Sequence, residues 1–146
     1  MITGIYSSGL VSESFWFIEF KEYLKRIRDD IPLEDIRKEI VDDNLFGLPN
    51  ENRAKRTFGY LKNRVSSLDK KAVEMFFSAD LSTQKLINLI SILRNSRIFF
   101  EYINEVYREK IRLGAECIER TDANIFFRNK EIQSDDVANW TDVTKK

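Results

Sequence analysis

Glycine and proline, the residues that most often end helices and strands, are rare in this sequence: it has five glycines and two prolines among 146 residues. Leu, Ile, Glu, Lys and Arg dominate instead, a composition that favours long helices joined by short connections. Apolar residues recur every three or four positions through most of the chain, as on one face of a helix. The sequence therefore predicts an all-α fold, a compact bundle of about seven helices.

Capping residues and apolar spacing set the expected helix boundaries. The first helix is capped by Ser12 or Ser14 and carries Phe15, Trp16, Phe17 and Phe20, the second runs from Pro32 to near Asn44, and the third is capped by Asn50 and runs to about Val65. The fourth runs from Leu68 to Ala79 and is capped by Ser67, and the fifth starts after Ser82. The sixth runs from Arg97 to Leu113 and is ended by Gly114, and the seventh is capped by Thr121. The fifth helix is apolar on nearly every side, so we expect it at the centre of the core. The aromatic group of the first helix is expected in the core rather than stacked on bases.

The polar stretch from Glu116 to Thr121 is the clearest candidate for a domain boundary. We expect residues 1–115 to form an N-terminal helical domain and residues 116–146 to be the start of a C-terminal lobe that is cut short. No stretch approaches the roughly twenty apolar residues of a membrane span, and the N-terminus lacks the pattern of a secretory signal. The single Cys117 cannot form an internal disulfide. Together these features predict a cytoplasmic protein with no membrane contact.

Histidine is absent from the sequence, which removes the commonest general base and metal ligand. One cysteine cannot build a zinc site, and the glycine-rich motifs of nucleotide-binding loops are missing. The acidic pairs Asp42–Asp43 and Asp135–Asp136 are typical of solvated helix ends. We therefore expect no catalytic residues, no metal, no cofactor and no small-molecule substrate.

Positive charge is concentrated in one segment although the net charge is zero. Residues 50–71 hold seven basic and two acidic side chains. The candidate nucleic-acid-binding residues are those of the third helix: Arg53, Lys55, Arg56, Lys62 and Arg64. With the second helix, this helix would form a helix-turn-helix-like unit whose cations contact the phosphates of duplex DNA. The alternative is that these cations only solvate the helix and pair with the acidic second helix.

Several segments along the whole chain, taken in their order, resemble the BrxA family of bacteriophage-exclusion (BREX) systems. They are Ser-Gly-Leu-Val-Ser-Glu-Ser-Phe-Trp-Phe at Ser8 to Phe17, Asp-Asn-Leu-Phe at Asp43 to Phe46, Arg-Ala-Lys-Arg at Arg53 to Arg56, Lys-Leu-Ile-Asn-Leu at Lys85 to Leu89, Phe-Phe-Glu-Tyr at Phe99 to Tyr102, Glu-Val-Tyr-Arg-Glu-Lys at Glu105 to Lys110, and Trp-Thr-Asp at Trp140 to Asp142. None of these strings is a catalytic signature. The resemblance is carried by their joint order.

The resemblance implies a helical protein, likened in fold to the antitermination factor NusB, that supports phage defence without enzymatic activity and binds DNA. Its partners would then include other BREX components such as the methyltransferase or the ATPases. Two alternatives stay open from the sequence: a protein-protein adaptor within the defence complex, and a NusB-like RNA-binding protein.

Overall fold

The computed structural model describes residues 6–9 and 13–145, apart from the side chains of residues 142 and 143. The Ser12 predicted as a helix cap lies outside the described residues. Every regular element in the described part is helical, which confirms the all-α prediction. Within those same ranges, no helix combines the length and the apolar content that crossing a bilayer requires.

The helices follow one another with short connections, as the scarcity of glycine and proline predicts. They are α1 (Phe17–Arg28), α2 (Leu33–Arg37) with a π-helical turn (Lys38–Asp42), α3 (Glu51–Ser66), α4 (Lys70–Ser78), α5 (Leu81–Asn95), α6 (Arg97–Tyr102), a second π-helical turn (Ile103–Tyr107), α7 (Arg108–Arg112), α8 (Arg120–Gln133), α9 (Asp135–Ala138) and α10 (Asp142–Lys145). The backbone stays right-handed helical from α6 through the second π-helical turn into α7. These three segments are the sixth helix predicted from the sequence.

The chain divides into two units, one formed by Glu13–Asn95 and the other by residues from Ser96 onward with the described residues 6–9. The core of the first unit is built from aromatic and aliphatic residues of α1 to α5: Phe20, Tyr23, Leu24, Ile36, Ile40, Val41, Phe58, Leu61, Phe76 and Ile87. The core of the second contains Tyr6, Ile98, Phe126 and Val137. A separate lobe that begins at residue 116 stays a prediction.

A polar network in the second unit fixes Tyr6 to α6. The Tyr6 hydroxyl donates to Glu101 Oε2 at 2.6 Å, and the Arg97 guanidinium lies 4.0 Å from the centre of the Tyr6 ring. Lys130, only 2% exposed, pairs with both Glu101 and Glu105 at 2.8 Å. A buried ammonium is costly to desolvate, and these two carboxylates compensate for that cost.

Three of the predicted helix caps are wrong. Ser14 does not cap the first helix, because Trp16 occupies the N-cap position of α1 and no side chain caps it. The other two are the caps of the fourth and seventh predicted helices. Ser67 does not cap the fourth helix, because Asp69 is the cap and accepts from the Ala72 N–H in the first turn of α4 at 2.7 Å. Thr121 does not cap α8, because Glu119 and Asp122 form a reciprocal capping box at its start. At the starts of α4 and α8 a carboxylate lies nearer the helix start, where the free N–H groups attract negative charge.

The first helix starts later than the sequence pattern predicts. Phe15 and Trp16 precede it, and Trp16 has the left-handed backbone angles φ 45° and ψ 51°. Such angles are uncommon for a bulky residue and need support from neighbouring structure. Phe20 is fully buried and Phe17 packs on the core, as expected, but Phe15 is 41% exposed.

The connection before α3 is pinned by its own side chains. Asn44, at φ 51°, accepts from the Leu48 N–H at 2.8 Å and donates to the Leu48 carbonyl at 3.0 Å. Gly47 adopts φ 61°, where a side chain is disfavoured. Asn50 then caps α3 by accepting from the Arg53 N–H at 2.9 Å, which confirms that predicted cap.

Helix α5 packs against α1, α3 and α4, but its faces differ from the expectation. The buried face includes three polar residues, Gln84, Asn88 and Ser91. The outward face exposes Leu86 by 56% and Ile90 by 46%. Each of these polar residues has a hydrogen-bond partner, which offsets the cost of burying it. Helix α5 therefore lies among three other helices, as a central helix does, but it also keeps one apolar face in solvent.

Candidate nucleic-acid interface on helix α3

Helix α3 is amphipathic, and its buried side determines which residues face outward. Ala54, Thr57, Phe58 and Leu61 are buried at spacings of three and four residues, which puts them on one side of the helix. The apolar spacing of the sequence predicts that Ala54, Phe58, Leu61 and Val65 face inward. The first three are buried and Val65 packs against the core, which confirms this prediction. Residues about 180° from this side are therefore presented to solvent.

Four of the five predicted cations are exposed: Arg53, Lys55, Arg56 and Lys62. At about 100° per residue, Lys55 and Lys62 fall on one edge of the outward face, two turns or roughly 10 Å apart along the axis. Arg53 falls on the opposite edge, and Arg56, one turn from it, lies on the same side of the face but nearer its middle. The cations thus form two rows along the helix rather than a single patch.

Polar and small residues occupy the surface between the two rows. Asn52 and Asn63 are exposed there, and Gly59 lies between them in sequence. A Cβ atom built on Gly59 would meet no atom within 4 Å, so the protein's own packing does not require glycine at this place. Because glycine has no side chain, the surface of α3 has a shallow depression at Gly59, between the two rows of cations.

The acidic second helix does not neutralise these cations. Within the described ranges, the one ion pair made by the four exposed cations is Lys55 to Glu51 at 2.7 Å, between two exposed residues of α3 itself. Exposed pairs of this kind contribute little and break easily. Glu39 of the second helix pairs instead with Arg26 of α1 at 2.6 Å. The alternative of pairing with the second helix is therefore wrong for this surface.

Arg64 is the exception among the predicted residues, because it is fully buried. Its guanidinium binds Glu13 Oε1 at 2.9 Å and 3.0 Å, donates to the carbonyls of Ser14 and Phe15, and reaches Asn88 Oδ1 at 3.2 Å. Asn88 also donates to the Phe15 carbonyl at 2.7 Å. Arg64 thus binds the segment before α1 and is removed from the candidate interface.

The sequence did contain a signal for the burial of Arg64. It follows the buried Leu61 by three positions, so it lies on the inward side of α3, where a cation is unexpected unless it has partners. Its main partners come from about fifty residues earlier in the chain, and that pairing cannot be derived from local spacing.

Burial also sets the protonation behaviour of this pair. Burial lowers the pKa of Arg64 from its ordinary value, while Glu13 acts in the opposite direction. Burial raises the pKa of Glu13, and the Arg64 guanidinium only partly offsets this. The two charges therefore depend on one another, and neither is available to an external ligand.

Nothing in the described ranges gathers three cysteine, aspartate or glutamate side chains in a way that would hold a metal ion. The helix-turn-helix interpretation of the second and third helices stays a prediction. What the geometry provides is a solvent-exposed helix face with two cationic edges and a polar centre.

These features define an all-helical protein with a cationic helix surface. The family model of BrxA matches residues 4–146, and the chain belongs to the BrxA family, as the resemblance in the sequence predicts. The chain is also 31% identical over 140 residues to the BREX protein BrxA of Bacillus cereus (strain H3081.97), an alignment that covers 96% of this chain and 70% of that protein. No solved structure matches the chain.

Proposed function

We propose that this chain is a non-enzymatic, DNA-binding component of a BREX phage-defence system that acts in the cytoplasm. The observation that carries the proposal is the outward face of α3, with Arg53, Lys55, Arg56 and Lys62 exposed on its two edges. Cations that release counterions from phosphates supply most of the affinity of such an interface, without reading sequence.

The two-row arrangement suits a helix lying in the major groove of duplex DNA. That groove is about 12 Å wide, close to the diameter of a helix with its side chains. In this geometry the edges of α3 approach the phosphates of both strands, and the polar centre faces the bases. The low surface at Gly59 allows a close approach there.

The non-catalytic part of the proposal rests on the residues that the sequence offers. The sequence contains no histidine and so lacks the commonest general base. The exposed cations of α3 are suited to binding an anionic ligand rather than to cleaving a bond. The family assignment makes other BREX components, such as the methyltransferase or the ATPases, the partners to test first.

The experiment is a salt-titrated binding assay with duplex DNA, single-stranded DNA and RNA of equal length. Duplex DNA is expected to bind best. A variant in which Arg53, Lys55, Arg56 and Lys62 are all alanine should bind more weakly and depend less on salt. Each lost phosphate contact lowers the slope of log K against log salt by about one, so a loss of about three to four is expected.

The matched control removes the same charge from exposed cations of the other unit by changing Arg108, Arg112, Arg120 and Arg128 to alanine. Arg120 and Arg128 line an open cavity of about 670 Å³, so this variant also tests a rival cationic surface. If the two variants lose the same DNA affinity, the effect is due to net charge alone, and the proposed role of α3 is overturned. A preference for RNA would favour the NusB-like alternative.

A further inference from the structure

Helix α5 presents a continuous apolar face to solvent. Leu86, Leu89, Ile90 and Leu93 are spaced at i, i+3, i+4 and i+7, so they form one row, here called the α5 stripe. Leu86 and Ile90 are 56% and 46% exposed, and Leu89 and Leu93 are half-buried. In a soluble helix this spacing normally faces the core, so a stripe of this kind on the outside favours a contact with another helix.

The fold fixes the stripe outward, because the opposite side of α5 is held by specific polar contacts. Asn88 binds both Arg64 and the Phe15 carbonyl, and Gln84 donates to the Phe76 carbonyl at 2.9 Å. A rotation of α5 that buried the stripe would break the bonds of Asn88 to Arg64 and to the Phe15 carbonyl and that of Gln84 to the Phe76 carbonyl. It would also turn the buried Ile87 and Ile92 towards solvent, which would offset the gain from burying the stripe.

Two cations flank the stripe, and their positions are constrained. Because a helix turns by about 100° per residue, Lys85 lies on one side of the stripe and Arg94 lies on the other. Arg94 donates to the Ser67 carbonyl, and the Lys85 ammonium lies 6.0 Å from the centre of the Phe17 ring. Helix α5 contains no acidic residue, and the nearest one before it, Asp80, caps its start.

We propose that the α5 stripe docks an amphipathic helix of another protein, one whose apolar row is flanked by acidic residues. Leucine and isoleucine would interdigitate in the centre, and carboxylates at the rim would meet Lys85 and Arg94. A second copy of this chain fits poorly, since pairing two α5 helices gathers four cations and no acid. The inference does not depend on the basic surface of α3.

The probe is a synthetic helix of about five turns with leucine at i, i+3, i+4 and i+7 and glutamate on both flanks. Its partner peptide is identical except that lysine replaces glutamate. Binding to the full chain is measured by fluorescence anisotropy. The glutamate peptide is expected to bind about tenfold more tightly than the lysine peptide, because two rim pairs separate them.

Three variants locate the contact. Leu86→Gln with Ile90→Gln should abolish binding of the glutamate peptide, whereas Leu113→Gln with Ile132→Gln, at positions 71% and 83% exposed in the other unit, should not. Lys85→Glu with Arg94→Glu should reverse the preference between the two peptides. Circular dichroism and thermal unfolding confirm that each variant is folded.

Four results would overturn the proposal. The first is that neither peptide binds, and the second is that the variant with Leu86→Gln and Ile90→Gln binds the glutamate peptide as well as the unmodified chain does. The third is that the chain associates with itself and this variant does not. The fourth is that the chain sediments with anionic lipid vesicles and this variant does not. The last two would assign the stripe to a second copy or to a membrane surface. The alanine variant of the α3 cations should keep its peptide binding, which separates this proposal from the DNA-binding proposal.

Discussion

Replacing Arg64 with methionine removes the buried cation on which the segment before α1 depends. The change leaves the Glu13 carboxylate, 8% exposed, without a partner, and it leaves the Ser14 carbonyl without this donor. The Phe15 carbonyl keeps its bond from Asn88. Breaking a buried ion pair costs about 3–5 kcal/mol, and methionine refills part of the volume, so we expect a loss of about 3 kcal/mol at neutral pH.

Thermal and urea unfolding measure this loss. For a chain of this size a loss of 3 kcal/mol corresponds to a fall in Tm of about 10 °C. The matched control is Arg56→Met, which changes an exposed cation of the same helix and should alter stability by no more than about 0.5 kcal/mol. A loss below about 1 kcal/mol for Arg64→Met would refute the argument that this network holds the segment.

The loss in Arg64→Met should also depend on pH. The pKa of Glu13 is already raised by burial, and the variant removes the cation that opposes the shift. A carboxyl with a raised folded-state pKa costs stability above that pKa, and the cost disappears as the pH falls and the group takes up a proton. The deficit should therefore shrink between pH 7.5 and pH 5. Adding Glu13→Gln should recover part of it at pH 7.5.

Two further predictions test other parts of the fold. Gly59→Ala should raise the free energy of unfolding by about 0.5–1 kcal/mol, because alanine favours the helix and its Cβ meets no atom within 4 Å; a loss of stability would contradict this packing. Glu101→Gln should destabilise the protein at neutral pH and not in acid. Burial alone would raise the pKa of Glu101, but hydrogen bonds from Lys130, Tyr6 and Arg97 outweigh it and lower the pKa below its ordinary 4.5. Its stabilisation is therefore complete above about that pH and is lost as the pH falls through the lowered folded-state value, so an effect constant from pH 7 to pH 3 would contradict the assignment.

Local patterns predicted much of the helical architecture. The cap at Asn50, the stop at Gly114 and the inward row of α3 follow from short-range rules of capping and periodicity, and the structure confirms them. The exposure of Arg53, Lys55, Arg56 and Lys62 follows from the same row. Such features depend on neighbours within one or two turns, which the sequence displays directly.

The errors about which side chains are buried lie where distant residues decide the local structure. Arg64 is buried because Glu13 and Asn88 meet it, and Asn88 faces inward because Arg64 and the Phe15 carbonyl require it. Hydrophobic periodicity counts polar residues as outward-facing, so it does not predict that α5 buries Asn88 while it exposes Leu86 and Ile90. The left-handed turn at Trp16 has the same origin, since Arg64 holds the two carbonyls that precede it.

The bond between Tyr6 and Glu101 bears on how the protein is synthesised. Residues 13–95 leave the ribosome as one unbroken stretch, and their unit is complete once Asn95 has emerged. Tyr6 is synthesised before this stretch, but its hydrogen-bond acceptor, Glu101, follows 95 positions later. The unit that contains Tyr6 is therefore completed after the unit of residues 13–95, and a deletion that removes Tyr6 would weaken a core whose other residues lie beyond Asn95.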